Sequence, residues 1–295
     1  MKKTKTQNKI IKFFLFSLFI SLFSYNKKEV ENNPPYGYVF KKWEGPPIDV
    51  IHYFPPKTDR NSPVVIIVPD GDRDVQHSLS AWIEIAKKDG VILVAVGAKK
   101  KYFPDDYSYS SGRVVSREGH ALHRNRWLFS AIELLFLDFK TKNNLTPNKF
   151  YLVGENEGGG FVHRYLLFNP KGLVLKALAI NPDFVTLPDE NISYPFGLKN
   201  APASDQNIKD WFKCDLTILS TPETISYNNK SLSNSPIAKI QGEGGNKRGE
   251  FLFNFTKAFT EKKKLKMNWS FKKIIKTENN KVLKKRPLFN LLFKQ

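Results

Sequence analysis

A single cysteine, Cys214, stands in 295 residues, so no intramolecular disulfide can form. This excludes a small scaffold held by disulfides and leaves export open. Cysteine and histidine show no zinc-finger spacing, and no aromatic-basic stretch resembles an RNA-recognition motif. No apolar run reaches the roughly 20 residues of a membrane span. No internal repeat is present. Hydrophobic residues make up 41% and aromatics 14% of the chain, ample for a core and against bulk disorder.

Acidic residues are missing from one region altogether. Residues 1–28 hold seven lysines and no acid, and residues 261–295 hold eleven lysines and Arg286 against Glu261 and Glu278. These ends carry +7 and +10 of the net +19, leaving +2 for residues 29–260. A nearly neutral body argues against a nucleic-acid partner. The basic C-terminal end is expected to be solvated or to rest on anionic lipid.

The first 28 residues read as a signal peptide or signal anchor: a basic start, then the apolar stretch FFLFSLFISLFS at 13–24. Leu22 and Ser24 match a small-x-small cleavage site only loosely, and Tyr25 stands where a lipoprotein signal needs cysteine. Export is expected, as a periplasmic, extracellular or membrane-anchored protein, with cleavage left open. Residues 29–44, polar and proline-containing, read as a linker, 45–285 as one domain, and 286–295 as a basic tail.

Within the domain, IDVIHYF (48–54) alternates like a strand. PVVIIVP (63–69) and VILVAV (91–96) are continuous apolar runs of strands buried on both faces. LSAWIEIAKKDG (79–90) has helical spacing and a closing glycine. A long helix is expected over 119–144, a strand at 149–153, and a helix after it. Further strands are expected at 173–180, 215–220 and 267–275, with a helix beginning at GEFLF. Buried strands alternating with amphipathic helices imply an α/β fold, a doubly wound, mostly parallel sheet with helices on both faces.

The stretch YLVGENEGGGFVHRY (151–165) then reads as strand, tight turn and helix. Gly154-Glu155-Asn156-Glu157-Gly158 has the placement of a G-x-S-x-G nucleophile elbow with asparagine in the centre. VVIIVPDGDRD, YFPDDYSYSSGRV, NPDFVTLPDE, YPFGLK, IAKIQGEGGNKRGEFLF and MNWSFKKIIKTENN follow one another in an order that resembles the α/β-hydrolase superfamily. The resemblance is nearest the poly(3-hydroxybutyrate) depolymerase-like and esterase group and spans roughly residues 45–285. It implies that Asn156 takes the place of the serine, Asn279 that of the histidine, and Glu223 the region of the acid. Asp70, Gly71 and Glu157 take oxyanion-loop positions, with Gly154 and Gly158 as elbow glycines.

An amide nitrogen, its lone pair delocalised, is no nucleophile, and asparagine cannot shuttle a proton as histidine does. Asp70, Asp72, Glu155 and Glu157 around the elbow would oppose an oxyanion. The expectation is a hydrolase-fold protein without hydrolysis, its former cleft holding a ligand or protein, or an envelope role. The alternative is an esterase or depolymerase-like hydrolase using a group other than serine.

No cofactor is implied, and no metal ligand is assigned. His120 and His123, spaced i, i+3 near Glu118, read as helix surface. His163 reads as packing, Cys214 as a small apolar residue, and His77 as a neighbour of the oxyanion loop. DGDRD (70–74), with carboxylates at alternate positions, could gather a cation with Glu155 and Glu157, or be a solvated acidic loop.

Overall fold

The computed structural model describes residues 35–222, 232–274 and 286–293. The N-terminal segment expected to be a signal, Glu223 and Asn279 lie outside the described residues. In chain order the strands are β1 (Tyr36–Phe40), β2 (Ile48–Tyr53), β3 (Val64–Val68), β4 (Ile92–Gly97), β5 (Phe150–Glu155), β6 (Val174–Ile180), β7 (Leu216–Ser220) and β8 (Ser270–Lys273). The helices are α1 (Val75–Asp89), α2 (Leu128–Lys142), α3 (Glu157–Phe168), α4 (Asp205–Trp211), α5 (Pro236–Ile240), α6 (Gly245–Lys262) and α7 (Arg286–Phe293).

The strands form one eight-stranded sheet in the order β1-β2-β4-β3-β5-β6-β7-β8. The β1–β2 and β2–β4 pairs are antiparallel, and the rest are parallel. The apolar runs of β3 and β4 explain their central place, since successive side chains go to opposite faces and both faces are covered. Val64, Ile66 and Val68 join the core under α2 and α3, whereas Val65 and Ile67 join Leu79, Trp82 and Ile85 of α1 on the other side. In α2 the buried residues recur every three or four positions, from Leu128 through Ile132 and Leu135 to Phe139.

Three expectations need correction. Residues 36–40, read as linker, form β1 and pair with β2. The end of the chain, read as a basic tail, folds into α7, where Leu292 is buried in the α1-side core and Phe293 packs on Tyr151 at 4.3 Å between ring centroids. The helix expected from 119 begins only at Leu128. A tight turn, with Gly119 at φ +87° and a bridge between Val115 and Ala121, takes up the earlier residues. The Trp127 indole then ties them down by donating to the Leu122 carbonyl at 2.7 Å.

Candidate functional site

The parallel strands all point their C-terminal ends at one edge, where ligands gather in open α/β sheets. β5 ends there in the expected tight turn. Asn156 sits at φ 50°, ψ −112°, between the strand and the first turn of α3. For a residue with a Cβ this conformation is strained, and neighbours hold it. The Asn156 N–H donates to the Ile180 carbonyl at 2.9 Å, and its own carbonyl accepts from the Gly160 and Asp183 N–H groups.

The elbow glycines are required by space. A Cβ on Gly154 would lie 2.2 Å from the Gly158 carbonyl oxygen, and one on Gly158 would lie 2.3 Å from that of Val68. Both obstacles are backbone, so neither can swing aside.

Asp70 follows β3 and reaches across to the elbow. Its Oδ1 accepts from the Gly71 N–H at 2.6 Å and from the Glu157 N–H at 3.2 Å. Its Oδ2 accepts from Asn156 Nδ2 at 2.7 Å. In a nucleophile elbow, the N–H after the central residue and one from the loop after β3 make the oxyanion hole. Both kinds of donor are present here, and a carboxylate oxygen of the chain itself fills their focus. Burial raises the Asp70 carboxyl above its ordinary value, partly offset by these hydrogen bonds.

Behind the elbow lies a charged nest. Arg73, at φ 64°, stacks its guanidinium 3.3 Å above the Tyr109 ring and pairs with Glu157 at 3.2 Å. The Tyr109 hydroxyl donates to the Pro69 carbonyl at 2.5 Å. Asp106, on the segment after β4, accepts from the Leu232 N–H at 2.5 Å. Asp183, on the segment after β6, is 3% exposed, and among the described residues neither carboxylate oxygen has a hydrogen-bond partner. The Phe184 N–H faces this carboxylate without reaching hydrogen-bond geometry. Asp106, Glu157 and Asp183 bring one oxygen each to within 4.8 Å of one another.

Burial and the neighbouring carboxylates push Glu157 up to about 7 and Asp183 well above the carboxylate range, against the pull of Arg73 and Arg164. A cleft of about 640 Å³ opens over the nest, lined among others by Gly71, Arg73, Asp106, Glu157, Lys100 and Arg117.

The structure thus brings Asn156, Asp70, Gly71, Glu157, Gly154 and Gly158 together. It does not gather DGDRD with Glu155 and Glu157 around one cation. Asp72 accepts from the Asp74 N–H, and Asp74 caps α1 by accepting from the His77 N–H at 2.9 Å. His77 is exposed on the first turn of α1. His120 and His123 lie in the turn before α2, off any α-helix.

His163 is fully buried, with Nε2 accepting from the Thr186 N–H at 3.0 Å and Nδ1 3.3 Å from the Gly159 carbonyl, which fixes it as packing. Burial pushes the Cys214 thiol up to about 12, so it is no thiolate nucleophile. Arg73, Asp106 and Asp183 escaped the sequence reading. Asp106 and Asp183 carried one usable signal, since each closely follows a buried strand at the ligand-gathering edge.

Strand order, elbow and helix layers together define the α/β-hydrolase fold, and solved structures agree. The chain is similar to poly(aspartic acid) hydrolase-1 from Sphingomonas sp. KT-1 at 28% identity, with 81% of this chain and 90% of that one covered and a TM-score of 0.76. It is also similar to a poly(3-hydroxybutyrate) depolymerase from Bordetella parapertussis, at 22% identity, 82% and 83% coverage and the same TM-score. An S-formylglutathione hydrolase from Agrobacterium tumefaciens shares the fold at 14% identity, 81% and 84% coverage and a TM-score of 0.51. No family model and no curated protein matches the sequence.

Proposed function

We propose that this chain is a hydrolase-fold protein that no longer hydrolyses esters or amides and uses the cleft above its elbow for binding. The observation that carries this is Asp70. Acyl transfer needs N–H donors waiting for the charge that develops on the substrate oxygen. Here the Gly71 and Glu157 donors are already spent on a carboxylate, and the group beside them is an amide rather than a hydroxyl. A hydrolase stripped of its nucleophile and base keeps about 10³ to 10⁴-fold over water only through its oxyanion hole and binding. A filled hole withdraws the first of these.

The basic, apolar N-terminal segment supports placing the protein in or beyond the cell membrane, as an exported or anchored species. A binding role at the envelope follows from the two together.

Labelling with a fluorophosphonate tests the filled hole. The wild type and the Asn156→Ser, Asn279→His double variant should stay unlabelled, and adding Asp70→Gly to that double variant should let the new serine react. Labelling of the double variant as strong as that of the triple would refute a blocked hole.

One observation favours a second reading, a hydrolase using a carboxyl group. Glu157 faces the cleft with its carboxyl near 7, where a general acid or base works. On that reading the wild type turns over an ester, and Glu157→Gln abolishes the turnover.

A further inference from the structure

We propose that Asp106, Glu157 and Asp183 form a binding site for one hard, oxygen-preferring divalent cation of the calcium, magnesium or manganese kind. The three carboxylates come from three separate places in the chain: the segment after β4, the start of α3 and the segment after β6. Their nearest oxygens lie within 4.8 Å of one another. Two oxygens bound to one calcium at about 2.3–2.6 Å can be no more than about 5.2 Å apart, so the spacing suits a common ion. All the donors are oxygen, which selects against zinc and copper.

The second observation is the state of Asp183. It is 3% exposed, yet among the described residues neither oxygen has a partner in hydrogen-bond geometry, and only the Phe184 N–H faces it. Buried carboxylates are ordinarily paired or bound to metal. The neighbouring cations are engaged elsewhere. Arg164 gives its guanidinium to Thr186 Oγ1 and to the Ser110 and Phe184 carbonyls. Arg248 donates to the carbonyls of Asp183, Gly242 and Ser233. Arg73 reaches Glu157 through one oxygen only.

A cation between the three carboxylates would give Asp183 the partner it lacks. The cleft beside Asp106 and Glu157 would supply the water ligands that complete its shell. The inference deepens the proposed binding role by naming what the cleft floor holds, and it is independent of whether the elbow hydrolyses anything.

The test is calorimetric titration of the full chain, stripped with EDTA, using Ca²⁺ alone and Mn²⁺ alone. The expected result is one equivalent of at least one ion bound, with affinity reduced roughly tenfold or more by Asp183→Asn and by Asp106→Asn. The surface control Asp72→Asn should bind like wild type. Asp183→Asn replaces a buried carboxyl by a neutral group of the same shape, so it should fold about as stably as wild type in EDTA, and it decides the matter if Asp106→Asn fails to fold. The site is overturned if neither ion binds below about 1 mM. It is equally overturned if Asp183→Asn binds as tightly as wild type, or if Asp72→Asn weakens binding as much. No ester is present, so failure here leaves the filled oxyanion hole standing.

Discussion

On the proposed reading, a carboxylate that rests on the two backbone N–H groups beside the elbow takes the place of a product acid. Asp70 holds that place with two backbone N–H groups, and the Asn156 amide secures its other oxygen. Asparagine at the elbow therefore has a positive role, because a serine could not offer the same N–H donor while serving as a nucleophile. That asparagine stands at the centre of the elbow was legible from the sequence alone, but the contact it makes with Asp70 was not. The alternating carboxylates of DGDRD look alike in sequence, and only the close approach of β3 to the elbow separates Asp70 from the solvated Asp72.

Glu157 supplies a pH dependence. Its native carboxyl is raised to about 7 from an ordinary 4.5, so between these values the folded state holds a proton that the unfolded chain releases. The contribution of Glu157 to the stability of the metal-free protein should be full below about 4.5 and be lost as pH rises through 7, with Asp183 acting in the same direction. Urea unfolding of EDTA-treated Glu157→Gln at pH 5 and pH 8 should show a smaller difference than wild type.

Elements were read with uneven success for reasons their residues show. β3 and β4 are unmistakable, since five or six consecutive apolar residues bounded by turn formers leave few alternatives. The stretch 119–127 misled because its apolar spacing continues that of α2, while Gly119 and the Trp127 indole bond break the helix. β1 escaped because as an edge strand it carries one fully buried residue, Phe40, and its alternation is weak.

Gly158→Ala pushes a methyl against the Val68 carbonyl and should cost about 1–3 kcal/mol or more in urea unfolding, since backbone blocks it on two sides. Asp74→Ala removes the cap of α1 and should cost about 1 kcal/mol with the elbow unaffected.

The whole molecule is a neutral body with basic ends, built on a sheet that collects charged side chains at one edge. Two features of that edge, the Asp70 carboxylate on the Gly71 and Glu157 N–H groups and the Asp106, Glu157 and Asp183 cluster, share Glu157. If the N-terminal segment inserts as an anchor, membrane fractions of an expressing cell should retain the protein in about 1 M salt, where the screening length is about 3 Å. If the lysine-rich ends alone hold it to anionic lipid, the same wash should release it.

The most direct measurement of the central claim is turnover of short-chain aryl esters by the purified wild-type chain, with and without a serine-directed phosphonate. A rate indistinguishable from the protein-free reaction is predicted under both conditions. Turnover above that background that persists through the phosphonate would contradict the account and give the cleft a working catalytic group other than serine.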